Sequence, residues 1–202
     1  MKTVTGLFDS YDDARAAVLE LENGGVKRDD VSIVANNSEN WYTDGESNTA
    51  AGAETGAGLG ALAGGAGGLL TGLGLMAIPG VGPVVAAGWL VATAAGVAAG
   101  AVVGGAAGGL IGALTGSGVS EDDAHVYAEG VRRGGTLVTA RVDDSYVSTA
   151  EAILQRSKRI DPSERRTAYT ADGWTRFDES SDPYTVAEAD RERARRAGGG
   201  TL

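Results

Sequence analysis

Four adjacent acid pairs, Asp12-Asp13, Asp29-Asp30, Asp122-Asp123 and Asp143-Asp144, and one imidazole, His125, are the side chains that acid–base or metal chemistry would use here. Their spacing argues against that use. Neighbouring residues on a helix point apart, and acids at a helix start or turn complement exposed backbone N–H groups, which accounts for each pair without a ligand. With one His and no Cys there is no thiolate zinc site, Fe–S cluster, disulfide, Cys nucleophile, two-His facial triad or H-E-x-x-H motif. His125 falls in the first turn of an expected helix, where a surface or packing role outranks general base. Gly56-x-Gly58-x-x-Ala61 and Gly72-x-Gly74-x-x-Ala77 resemble a dinucleotide-binding turn. Neither directly follows a strand, no acid follows to hold a ribose, and no Lys stands near enough for a P-loop. The sequence therefore points to a non-enzymatic protein with no catalytic residue, no metal site and no cofactor. A net charge of −10 over 202 residues lacks the basic face that displaces phosphate counterions, so no nucleic-acid partner is expected. The N-terminus turns acidic at Asp9 before an apolar core of signal-peptide length appears, so no cleaved secretion signal is expected.

The elements that would carry these residues are of two materials. Of the 33 glycines, 22 fall between Ala51 and Gly118, and the 66 residues from Thr55 to Ser120 carry no charge, so a charge-free insertion separates two ordinary halves. Residues 1–35 read as strand, helix, strand: Thr3-Val4-Thr5-Gly6-Leu7-Phe8, then a helix capped by Ser10, then Val31-Ser32-Ile33-Val34-Ala35. Ala14, Ala17, Val18 and Leu21 share one helix face, and Gly24-Gly25 ends the helix. Residues 119–160 begin alike. Ser120-Glu121-Asp122-Asp123-Ala124 matches Ser10-Tyr11-Asp12-Asp13-Ala14, and Gly134-Gly135 stands as far from Ser120 as Gly24-Gly25 from Ser10. That spacing predicts equal helices. Thr136–Val142 then reads as a strand and Ser145–Ser157 as a helix. The expected fold class is α+β, a small ferredoxin-like sandwich of two repeated halves. Only three strands are clear, which leaves a fourth missing or supplied by a partner chain.

The insertion, 51–118, turns at Ile78-Pro79-Gly80-Val81-Gly82-Pro83, with Pro79, Gly80, Gly82 and Pro83 as turn residues. On either side glycine recurs every fourth residue, at Gly56, Gly60, Gly64, Gly68 and Gly72 and at Gly96, Gly100, Gly104, Gly108, Gly112 and Gly116. Each helical glycine costs about 1 kcal/mol relative to Ala, and close backbone approach between helices offsets that cost. The ladders predict a glycine-zipper helical hairpin. Because a step of four residues turns about 40° past a full circle, the glycine stripe meets more than one neighbour, and the expected partner is a second copy of the chain. Two settings fit the hairpin: a lipid bilayer, since the charge-free run far exceeds the roughly 20 residues one span needs, or the buried interior of a soluble particle or filament. Arg132-Arg133 then favours soluble parts facing the cytoplasm from the inner membrane; the alternative location is cytoplasmic.

Residues 161–202 are polar and charge-mixed, with Pro162, Pro183 and Gly198-Gly199-Gly200, and predict a disordered tail. Thr185–Arg196 could form a charged helix with nothing to bury. Tyr169, Trp174, Phe177 and Tyr184 are spaced like a docking motif for a protein partner.

Several features combine in one pattern: the opening Thr3-Val4-Thr5-Gly6-Leu7-Phe8-Asp9, the Asp-Asp-Ala helix ending in Gly-Gly, Asp29-Asp30-Val31-Ser32-Ile33-Val34, the Ala77–Pro83 hairpin, and Tyr127-Ala128-Glu129-Gly130-Val131-Arg132-Arg133-Gly134-Gly135. Over residues 1 to about 145 this resembles the bacterial general-stress-protein 17M-like (heat-induced stress protein) domain. The resemblance implies a bacterial origin and induction under stress, and it brings no catalytic residues. The leading expectation is a non-enzymatic stress-associated membrane protein whose hairpin embeds and self-associates. The alternatives are a soluble homo-oligomer with hairpins as its core and a membrane-anchored ligand-sensing α+β module.

Overall fold

The computed structural model describes residues 1–38, 40–42, 73–91, 93 and 109–198. Strand β1 (Lys2–Phe8) leads to helix α1 (Tyr11–Asn23), where Ser10 Oγ accepts the Asp13 N–H at 3.0 Å as the expected N-cap. Ala14, Ala17, Val18 and Leu21 are its buried face, as their helical spacing requires. Strand β2 (Val31–Asn36) follows. After the insertion, α3 (Glu121–Arg132) is capped by Ser120 through the Asp123 N–H at 3.2 Å, and it leads to β5 (Thr136–Val142) and α4 (Val147–Arg156).

The fold is mixed helix and sheet around one five-stranded antiparallel sheet of order β1-β5-β2-β4-β3. Strand β5 lies between β1 and β2, pairing Thr139 with Thr5 on one side and Ser32 on the other. The two further strands come from within the insertion. They are β3 (Gly74–Ile78) and β4 (Gly82–Gly88), paired Met76 to Val84, with β4 paired to β2 through Val34 and Ala86. Helix α2 (Gly109–Gly116) closes the insertion. One face of the sheet, carrying Val4, Ile33, Val85 and Val138, packs against α1 and α4; the other, carrying Leu7, Val34, Val84 and Leu137, packs against α2 and α3.

This arrangement corrects the sequence-based expectations in four ways. The two halves are not equivalent repeats in the sheet: α1 and α3 occupy opposite faces. They also differ in length, with 13 and 12 residues, because the left-handed residue is Gly25 in one and Gly134 in the other, the second and first glycine of their pairs. The sheet has five strands where three were clear, because the insertion adds β3 and β4 beyond β2. The Pro79–Gly82 turn joins two strands and not two helices, so there is no helical hairpin at this point. Among the described residues no helix is long and apolar enough to cross a membrane, which overturns the membrane-embedded hairpin and the inner-membrane location. The physical reason lies in the charge-free run. Strand β4 is covered on both faces, and a strand buried on both faces excludes charge as strictly as lipid does.

The fourth correction concerns the tail, which is ordered as α5 (Pro162–Ala171) and α6 (Val186–Gly198). Asp161 accepts the Ser163 and Glu164 N–H groups, with Pro162 at the first helical position, the one helical site where Pro is favoured. Thr185 and Glu188 form a reciprocal capping box for α6, the Thr185 N–H donating to Glu188 Oε2 at 2.9 Å and the Glu188 N–H to Thr185 Oγ1 at 3.4 Å. Helix α6 also buries Ala189 and Glu192.

Since the insertion supplies two strands and a helix to the shared core, deleting residues 51–118 is expected to abolish cooperative unfolding and amide dispersion. A deletion variant that melted as one folded unit would show instead that the halves form a core without β3, β4 and α2.

Candidate functional site

The turn between β3 and β4 is where the insertion, the sheet and the tail meet. Val81 N–H donates to Ile78 C=O at 3.0 Å, and Gly80 between them has φ +72. This is the pattern of a type II turn, with Pro79 and Gly80 as its central residues. Gly82, with φ +98, turns the chain into β4. The tail runs directly over both glycines. A Cβ at Gly80 would stand 2.7 Å from Glu179 Cα and 2.8 Å from the Asp178 carbonyl oxygen, and one at Gly82 would stand 2.7 Å from Pro183 Cβ. Glycine is thus required here for close approach as well as for conformation. Beside them Phe177, 4% exposed, completes the apolar cluster of Ile78, Val81, Val84, Leu110 and Leu114.

An ionic knot on α3 fastens the same tail. Glu129 is fully buried and accepts from Arg133 Nε at 2.6 Å and from Arg132 Nη1 at 3.3 Å. Arg133 reaches Glu192 of α6 at 3.5 Å and lies 4.1 Å from the Tyr169 ring centroid, while Arg132 donates to the Asp182 carbonyl at 3.0 Å and covers Tyr184. The acids at the starts of α1 and α3 then serve twice: Asp9 binds Arg165 at 2.8 Å, Asp123 binds Arg166 at 2.8 Å and Glu121 binds Arg176 at 3.4 Å. Tyr169, Trp174, Phe177 and Tyr184 therefore dock, but on their own chain. An open groove of about 560 Å³ between α5 and α6 is lined by Asp9, Arg165, Asp172 and Arg195 among others. Its two arginines are paired with its acids (Arg165 to Asp9 at 2.8 Å, Arg195 to Asp172 at 3.1 Å), and with Glu164 and Glu192 the acids outnumber them.

His125, 8% exposed, sits under this strap. Its Nε2 is 2.8 Å from Arg176 Nη2 and 3.7 Å from Glu121 Oε1. A guanidinium can only donate, so Nε2 accepts and the ring is neutral with its proton on Nδ1. Burial, then the Arg176 charge, hold its pKa below the ordinary value; Glu121 and Asp122 oppose them.

The third part of the site is the free side of β3. Gly74, Leu75 and Ala77 are exposed, Leu75 by 39%, and no charged residue occurs from Leu73 to Val91. Among the described residues no strand pairs with this edge. The opposite edge, β1, is covered at Leu7, where Ile160 forms a bridge and donates its N–H to the Leu7 carbonyl at 2.9 Å.

Of the expected packing glycines, Gly56, Gly60, Gly64, Gly68, Gly72, Gly96, Gly100, Gly104 and Gly108 lie outside the described residues. Gly112 and Gly116 are in α2; among the described residues a Cβ at Gly116 would meet nothing within 4 Å. Pro79, Gly80, Gly82 and Pro83 are brought together in the strand turn. Gly74 and Ala77 of the dinucleotide-like pattern belong to β3, not to a strand-to-helix turn. The edge strand and the strap were missed, although Glu129, Arg132 and Arg133 at three- and four-residue spacing were a signal for a buried ion cluster.

Two outcomes follow from this site. Glu129→Gln leaves Arg133 buried beside a neutral group and is expected to cost about 3 kcal/mol in urea unfolding, with Glu129→Leu/Arg133→Met recovering most of it; an unchanged midpoint would show that the knot does not hold the fold. Because His125 has a lowered pKa in the folded chain, the unfolded chain takes up its proton first. Its contribution is whole above about pH 6.5 and declines as pH falls through 6.5 toward the folded value. Stability measured between pH 7 and 5.5 is therefore expected to drop in the native chain and to stay flat in His125→Gln; parallel profiles would refute this.

No family model, curated protein or solved structure matches the chain.

Proposed function

We propose that this chain is a non-enzymatic, self-associating protein, whose copies join through the charge-free insertion to build a homo-oligomeric particle or filament. The observation that carries this reading is the edge strand β3. Proteins guard sheet edges with Lys, Pro, bulges or a covering segment, and β1 is guarded by Ile160. Strand β3 has no such guard among the described residues, and it presents Leu75 to solvent. The insertion thus ends in an adhesive edge held rigidly on a folded body. The glycine ladders stand on both sides of this hairpin in the chain and provide a second, independent means of close approach between copies.

For the body, a ferredoxin-like core is our reading. It is supported by the placement of β5 between β1 and β2, by α1 and α4 sharing a face, and by Ile160 lying beside β1 where a fourth core strand would lie. In that reading β3, β4 and α2 extend the core beyond β2. The general-stress-protein 17M-like resemblance agrees with a role in bulk assembly under stress and not in turnover of a substrate.

The test is the mass of the purified native chain by light scattering over a wide concentration range. A discrete or growing multimer that gains mass with concentration is the expected result. A monomer at every concentration would overturn the reading.

A further inference from the structure

We propose that the outer edge of β3 is a homodimer interface, at which β3 pairs antiparallel with β3 of a second copy about a twofold axis at Met76. This deepens the self-association reading and rests on it.

Backbone parity shows what the edge offers. Asn37 N–H donates to the Pro83 carbonyl at 2.9 Å, and Ser32 Oγ donates to the Ala87 carbonyl at 2.7 Å. The odd-numbered residues of β4 therefore turn their backbone polar groups to β2, and the even-numbered ones turn theirs to β3. In the ladder between β3 and β4, Ile78–Gly82, Met76–Val84 and Gly74–Ala86 are then the hydrogen-bonded pairs. Leu75 and Ala77 point their N–H and C=O groups outward. The next outward carbonyl, Leu73, is already taken by the Tyr42 hydroxyl at 2.8 Å. The next outward position in the other direction, Pro79, has no N–H to give.

Among the described residues the open row is therefore two residues long, with two donors and two acceptors, and it is complementary to itself. Set antiparallel about Met76, Leu75 exchanges both hydrogen bonds with Ala77 of the second copy, and Ala77 exchanges both with Leu75 of the second copy. Sliding the copies one way would call on the occupied Leu73 carbonyl, and sliding them the other way on Pro79. Register, which flat uncharged strands specify poorly, is fixed by these two stops. Leu75 then covers Ala77 of the second copy on one face of the joined sheet, and Met76 meets its own counterpart on the other. No charge within the hairpin opposes the approach. Such a contact is isologous and closes on itself, so growth beyond a dimer falls to the glycine-rich segments.

The chain has no Cys, so a single introduced thiol reports this geometry directly. Met76 would face Met76 at a non-hydrogen-bonded position, where Cα atoms are about 4.5 Å apart, within disulfide range. Met76→Cys in the full chain is expected to give a covalent dimer under mild oxidation. Gly74→Cys, on the same face but four residues from its counterpart in this register, is expected to remain monomeric on a non-reducing gel. Leu75→Lys, at an exposed position, is expected to keep native amide dispersion and to weaken dimerisation roughly tenfold or more by placing like charges across the axis. A native chain that oligomerises while Met76→Cys fails to cross-link and Leu75→Lys keeps its mass would overturn this interface and leave self-association standing. A native chain that is monomeric throughout overturns both. Slow hydrogen exchange at the Leu75 and Ala77 amides in that monomer would identify the chain's own segment as the occupant of the edge.

Discussion

Strand β4 is covered on both faces and flanked on both edges, and this confinement governs the rest of the molecule. Its backbone polar groups can be satisfied only by β2 on one side and β3 on the other, because no water reaches them. That single requirement explains why a charge-free hairpin is drawn into a sheet whose other strands are distant in sequence. It explains the lack of charge along β4 from Gly82 to Gly88. It also explains why the turn is so tightly specified, since Gly80 and Gly82 must bend the chain under a tail segment with no room for a side chain.

The halves were legible because their signals are local. Ser10 and Ser120 cap their helices, the runs of strand formers in β1, β2 and β5 read directly, and the buried face of α1 follows from helical spacing. The insertion was misread because absence of charge reports burial without saying in what. A segment such as Val84-Val85-Ala86-Ala87 has the composition of a lipid-facing helix and of a central strand alike, and only its length and its β-branched residues favour the strand. The glycine period drew attention to helices and away from the type II turn that Pro79-Gly80 encodes. The tail was misread for a different reason. Its composition is that of a disordered segment, but Asp161-Pro162 and Thr185-x-x-Glu188 are helix starts, and composition averages over such signals.

The matched halves show how far similarity of signal can mislead about placement. Alike caps and double glycines produce α1 and α3, yet the two helices lie on opposite sides of the sheet. Ser10 and Ser120 cap the two helices, and the acids beside them anchor different arginines of the tail, Arg165 at Asp9 and Arg166 and Arg176 on α3. An acidic protein thereby folds an arginine-bearing stretch against its own acids and offsets part of its surface charge.

The sheet order also sets a timetable for synthesis. Phe8 pairs with Thr136 and Val34 with Leu137, so at about 5–20 residues per second the first strand waits on the order of ten seconds for its neighbour to leave the ribosome. The first long-range pairing open to the nascent chain is that of β2 with the newly made hairpin. The segment that looked like an appendage is thus the earliest available template for the sheet, and its sticky edge is on display while the chain is least able to shield it.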